Sequence, residues 1–328
     1  MKIARVPVVI FGVIALVVLL CCDVSAVIND GIRQKEADFS VAISPPIIEF
    51  DLIPGAASSE TIRVRNTGLK EVDLKIGVAP MTVTGEDYST DYSKNTPRTE
   101  ITRWTSIKLE SGCKAYKADG DGTMYVHFRV QEECFVTFST KTPTNAPYGS
   151  QHMSVFFEEY MEVEGEGVSM IRSIGASIYG TNRVGGNGND ACGKVTSQSI
   201  PFWIFGGPLD TKATVENCGV LDFHATIDIE VRNIFGGVVY KDDGHPVDKI
   251  VMAETTRAID DSWKDSAIGI YKTKQTVKFL GETHELEKWT FIVPVWLIIV
   301  ILLCVAAIVL SVIYGRKKKQ TFKQRSRR

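Results

Sequence analysis

TIRVRNTGLKEVDLKI, residues 61–76, alternates apolar and polar side chains, turns at Asn66-Thr67-Gly68, and alternates again through Val72, Leu74 and Ile76. Alternation at period two places one face in a core and the other in water, the pattern of a strand in an antiparallel sheet. Asn and Gly tolerate the left-handed backbone that a tight turn needs. The same layout returns 150 residues later in TKATVENCGVLDFHATI, residues 211–227, with Asn217-Cys218-Gly219 at its turn. A strand–turn–strand unit repeated at the spacing of one domain predicts two domains of the same kind.

Working outward, Phe39–Ile43 alternates, breaks at Pro45-Pro46 and resumes through Ile47–Phe50. Prolines inside a strand confine it to an edge, where the chain can switch from one sheet to another. Further strands are predicted at Trp104–Leu109, Thr123–Val130 and Cys134–Ser139, with a tight turn at Asp119-Gly120-Asp121-Gly122. Met153–Met161 and Val168–Tyr179 flank the acidic turn Glu162–Gly167 and read as a long hairpin. Asp265, Gly269 and Tyr271 loosely resemble the tyrosine corner of immunoglobulin-like sandwiches. The glycine-rich, polar stretch TNRVGGNGND (181–190) has no apolar period and reads as a linker. The expected fold is all-β: two tandem immunoglobulin-like β-sandwiches at residues 37–182 and 193–286, a linker at 183–192, and one C-terminal transmembrane helix.

The ends fix the expected compartment. Residues 292–314 carry no charge, and the tail 315–328 holds eight Lys/Arg and no acid. A helix of that length crosses a hydrocarbon core of about 30 Å, and a basic flank stays in the cytoplasm. Trp289 and Trp296 stand near its outer end, where indole rings favour the interface. Lys2 and Arg5, the apolar run Val6–Cys22 and Val24-Ser25-Ala26 have the layout of a secretory signal peptide, residues 1–26. The chain between is expected outside the cell, on a single-pass membrane protein. Without the signal and the tail, 27 basic and 38 acidic residues remain, a net charge near −11. That excess argues against nucleic acid as a partner. No Asn-x-Ser/Thr acceptor occurs in this region, which fits a prokaryotic surface better than a eukaryotic one.

Four cysteines remain in the expected ectodomain, Cys113, Cys134, Cys192 and Cys218. An even number in an oxidising compartment predicts two disulfides. Three pairings are open; the local one joins Cys113 to Cys134 and Cys192 to Cys218, closing one loop in each half. Zinc is disfavoured because no Cys-x-x-Cys is present and the five histidines are scattered.

The main motifs of catalysis are missing: there is no Gly-x-Ser-x-Gly, HExxH or phosphate loop. No enzymatic activity, cofactor or metal is expected. Gly185–Asp190 opens like a calcium-binding nonapeptide repeat, but one copy supplies only part of an oxygen cage, so the linker reading stands. Asp119 and Asp121 read as turn residues. His127, His152, His224 and His284 have no evident partner in the sequence and read as solvated or capped. Trp104 and Trp263 are expected core residues. The run Pro201–Pro208 (PFWIFGGP) cannot face one core throughout; packing between the two domains is expected, ahead of an exposed binding patch.

With those residues in view, FSVAISPPIIEFDLIPGAASSETIRVRNTG (39–68) resembles the opening of the bacterial WxL-interacting surface proteins, and more loosely pilus-chaperone and major-sperm-protein-like sandwiches. The similar features are Pro45-Pro46, Pro54-Gly55, Asn66-Gly68 and the step Ala146-Pro147-Tyr148-Gly149. The resemblance implies a non-enzymatic surface protein that binds cell-wall polymer or another surface protein. The alternative it implies is an envelope assembly factor resembling a pilus chaperone. It carries over no binding residues.

Overall fold

The computed structural model describes residues 40–110, 113–160, 172–186, 191–242 and 244–325. The expected signal peptide, Phe39, the turn Glu162–Gly167, the middle of the glycine-rich linker and residues 326–328 lie outside the described residues. Alternation builds the first sandwich as the sequence analysis expects. One sheet holds β1 (Val41–Ser44), β3 (Ala57–Asn66), β10 (Glu133–Lys141) and β7 (Thr105–Leu109), in the order β1-β3-β10-β7. The other holds β2 (Ile47–Asp51), β12 (Ser173–Asn182), β11 (Gly149–Glu159), β4 (Val72–Pro80), β9 (Met124–Phe128) and β8 (Ala115–Ala118), in that order. In β3, Ile62 and Val64 point into the core while Arg63 and Arg65 face water. Phe128, Phe138 and Phe157 fill the space between the sheets with Ile62, Leu74, Ile76 and Ile178. Each such side chain contributes about 1.5–3 kcal/mol by leaving water.

Pro45-Pro46 divides the first strand as expected. β1 pairs with β3 in one sheet, the Ser44–Pro45 bond is cis, and β2 runs parallel to β12 in the other. The second sandwich repeats the device. β13 (Gly193–Ser199) pairs with β15 (Leu209–Asn217), which pairs with β19 (Thr256–Trp263). After Pro201 the chain crosses, and β14 (Trp203–Ile204) runs parallel to β21 (Glu282–Ile292). That sheet continues with β20 (Gly269–Phe279), β16 (Phe223–Asn233) and β17 (Val238–Lys241), while β18 (Val247–Val251) also pairs with β16. β21 reaches Ile292, beyond the end at residue 286 expected for this domain, because its alternation persists through Thr290 and Ile292, both buried.

The turns that decided the fold class are built alike. The Asn66 side-chain amide donates to the carbonyls of Lys70 and Arg129 and accepts from Gly68 N–H. Asn217 donates to Leu221 and Val251 and accepts from Gly219. Both are buried. Disulfides join Cys113 to Cys134 and Cys192 to Cys218, the local pairing, across 21 and 26 residues. Closing loops of this size is worth about 3 kcal/mol each in the chain-entropy account. Trp104 ends a short helix, α1 (Ile101–Trp104), where a strand was expected to begin: Thr99 and Glu100 carbonyls accept from Thr102 and Arg103 N–H and curl the backbone. Trp263 is in the second core, edge-on to Tyr271 and stacked on Tyr240. Tyr271 Oη reaches the Ile268 carbonyl at 3.4 Å, a local bond across the bend that opens β20.

A helix, α2 (Val295–Arg325), follows almost directly on β21. Val295–Ile313 is long and apolar enough to cross a membrane, with a mean hydropathy of 3.3, and none of it is buried against the sandwiches.

Candidate functional site: the cleft between the sandwiches

Two sets of contacts join the domains and leave a cleft beside them. The first set gathers where Gly149 leads into β11. Ser150 N–H donates to the Val220 carbonyl at 2.9 Å, and Asp222 N–H donates to Ser150 Oγ at 2.8 Å. Arg98 reaches the same Val220 carbonyl and pairs with Glu254 at 2.9 Å. His152 Nε2 lies 2.8 Å from Asp222 Oδ2, with both side chains buried, and Asp222 Oδ1 accepts from Ala253 N–H. Gly149 has φ +116°, and a Cβ there would lie 2.7 Å from the Val220 carbonyl oxygen. Only glycine gives both that backbone and that approach.

The second set is a hairpin of the first domain, β5 (Thr82–Thr84) and β6 (Ser89–Asp91), laid on the second. At its tip, Tyr88 Oη accepts from Met252 N–H at 2.8 Å and pairs with Thr255 Oγ1 at 2.5 Å. Its ring lies 4.2 Å under the Arg257 guanidinium, and the Glu86 carbonyl accepts from Ala258 N–H. Met81 and Tyr179 from the first domain meet Ile250 and Met252 from the second in a small apolar cluster, with Val83 and Tyr88 against it. Burial raises the pKa of Tyr88 and pushes that of Tyr179 up to about 12, so both phenols are neutral at ordinary pH.

Beside this cluster lies a cleft of about 380 Å³. Met81, Val83, Tyr179 and Ile250 give it an apolar floor; Arg257 and Lys249 bring positive charge; Ile47 and Glu49 of β2 form one wall. His224 bridges its rim, 3.0 Å from Glu49 on the first domain and 3.0 Å from Asp248 on the second. Burial works to lower the His224 pKa, but the bonds to Glu49 and Asp248 outweigh it and hold the imidazole above its ordinary value. β2 is the last strand of its sheet, and among the described residues nothing pairs with its outer edge. An edge strand presents unpaired N–H and C=O groups that can take on another strand.

A second hollow, of about 450 Å³, lies on the outer face of the second sandwich. Its charges are already matched: Arg232 with Glu230 and Lys272 with Glu287. The interdomain cleft therefore has the stronger claim to a partner.

All four histidines singled out in the sequence face carboxylates. His127 lies by Asp73 and Glu71, and His284 by Glu282; His152 and His224 hold the domain junction. Asp222 comes to His152, and Glu49 to His224, from the other domain, so sequence proximity carried no signal of those two pairs. Asp119 and Asp121 form a hairpin turn, with Asp121 Oδ1 accepting from Thr123 N–H. The aromatic run is not packed between the domains, as expected, but lies at the end of the second sandwich beside α2. Phe202 and Phe205 are 62% and 61% exposed. β14 pairs there with the last residues of β21, which draws the run away from the first domain.

No family model and no curated protein matches the chain. Solved structures of fimbrial chaperones match the chain at low identity and with TM-scores below 0.5. The class 5 fimbriae chaperone CfaA is 12% identical over 76% of this chain and 99% of its own, with a TM-score of 0.33. A chaperone–tip subunit pre-assembly complex of archaic chaperone-usher Csu pili from Acinetobacter baumannii is 11% identical over 78% and 99%, with a TM-score of 0.36. A PapD-like domain of human CEP192 is 14% identical over 48% and 94%, with a TM-score of 0.27.

Proposed function

We propose that this chain is a non-enzymatic, membrane-anchored protein whose two β-sandwiches, outside the membrane, hold an extended segment of a protein partner. That makes it an envelope assembly factor resembling a pilus chaperone. The observation that carries the reading is the open edge of β2 forming a wall of an apolar-floored cleft. A segment added along β2 gains main-chain hydrogen bonds there, while its alternate side chains turn toward Met81, Val83, Tyr179 and Ile250. α2 supplies the anchor.

The test is retention by the full chain, purified in detergent, from a detergent extract of membranes and from isolated wall. The expected result is one stoichiometric protein from the extract, lost on Ile47→Asp, which puts a charge at the exposed mouth of the cleft. Retention on wall polymer alone, unaffected by Ile47→Asp, would overturn it.

A further inference from the structure

We propose that the end of the second sandwich next to α2 is a lipid-binding surface, seated in the headgroup layer of the outer leaflet. This rests on the reading that α2 crosses a bilayer. Three separate parts of the chain bring apolar side chains to that end. Phe202, Trp203 and Phe205 come from the run around β14, Ile234 and Phe235 from the β16–β17 turn, and Ile268 from the loop before β20. Phe235 is 89% exposed. Register places them together: Ile204 pairs with Ile292, Ile292 with Gly269, and Asn233, just before Ile234, with Tyr271. Across the three strand spacings from β14 to β16 the rim is about 14 Å wide.

The start of α2 sets the depth. Val293 N–H donates to the Ile204 carbonyl at 2.9 Å, so the chain is still part of the sheet two residues before Val295 opens the helix. The apolar stretch Val295–Ile313 has 19 residues. At 1.5 Å per residue it is about 28 Å long, hardly enough for a hydrocarbon core of about 30 Å. Little length is left for a stalk, and the rim beside Ile204 is held at the headgroup level. The side chains suit that level, since aromatic rings favour the interface. Trp203 stacks on Phe291 and Phe202 packs against the same ring, so the run is held by the sheet while its outer faces stay uncovered. The charged pair Lys272–Glu287 lies farther back along the strands.

The test uses the full chain with Cys304→Ala, reconstituted in phosphatidylcholine vesicles without reductant. Spin labels go on Phe205→Cys, Phe235→Cys, Leu69→Cys (an exposed turn of the first sandwich) and Ile308→Cys (the span), and their accessibility to oxygen and to a nickel chelate is compared. The expected oxygen-to-nickel ratio at 205 and 235 is several-fold above that at 69 and below that at 308. Ratios at 205 and 235 equal to that at 69, with 308 deep, overturn the lipid surface and leave the span standing. A nickel-accessible label at 308 overturns both. Shielding of 205 and 235 from both reagents also overturns the proposal, in favour of a contact with a second copy.

Discussion

Asn66 and Asn217 each close a turn with three hydrogen bonds from one buried amide. Removing the Asn217 side chain takes this partner from two carbonyls and one N–H, at a cost of about 1–3 kcal/mol each where water cannot replace it; at Asn66, Gly68 N–H still donates to the Ser40 carbonyl and the Arg129 carbonyl still accepts from Glu132 N–H. Asn217→Ala is expected to lower stability by about 2 kcal/mol or more, and Asn66→Ala by less, each read as a shift in the denaturant midpoint. Asn→Asp at either site should cost similarly, because a carboxylate cannot donate to those carbonyls. Asp261 in the second core behaves in the opposite sense. Burial raises its pKa, against a hydrogen bond from Ser262, and the charges of Asp242 and Asp228 raise it further. The native state therefore keeps this proton to higher pH than the unfolded chain does. The penalty is absent below the ordinary carboxylate range, grows as pH climbs through the raised native value, and is complete above it. Asp261→Asn is expected to raise the Tm at neutral pH and to leave it unchanged in acid below that range; equal gains at both would contradict this. The Asn-x-Gly turns were legible in the sequence because their chemistry is local. The burden on Asp261 was not, because its neighbours come from other strands.

At the level of elements, the β5–β6 hairpin acts as a clasp between the domains. Tyr88→Phe removes the acceptor for Met252 N–H and the partner of Thr255, at an expected cost of about 1–2 kcal/mol. Because the hairpin belongs to one domain and its partners to the other, the loss should appear as faster hydrogen exchange at Met252 while the two cores keep their protection. Uniform loss of protection would mean that the clasp also supports a core. The His224 bridge adds a pH-dependent tie. Its raised pKa means that the tie is complete below the ordinary histidine pKa and is lost as pH rises through the higher native value. Titration of His224 by NMR should give a pKa above its ordinary value, falling back in Glu49→Gln. The proline-split strand was legible at Pro45-Pro46, where alternation is plain on both sides. Its counterpart at Pro201 was not: Trp203-Ile204 is too short to show a period, and the aromatic side chains suggested burial. What places Phe202 and Phe205 outside is a parallel pairing with β21, a contact far along the chain.

For the whole molecule, the two sandwiches, their disulfides and the apolar helix α2 followed from alternation, cysteine spacing and hydropathy. The cleft did not, because its floor takes Met81 and Tyr179 from one domain and Ile250 from the other, and the junction rests on residues that carry no motif. The same junction ties the two sandwiches together at three places beside the cleft: buried His152–Asp222, Arg98–Glu254 and the hairpin. Preorganisation of this kind lowers the ordering cost of binding. The most direct measurement places a photo-crosslinking amino acid at residue 47, on the open strand, and another at residue 69, on the opposite turn, in the full chain in intact cells. Adducts at 47 with an extended segment of one protein, and none at 69, are expected. Adducts of equal yield at both positions, or at 47 with glycan alone, would contradict a cleft built to receive a strand.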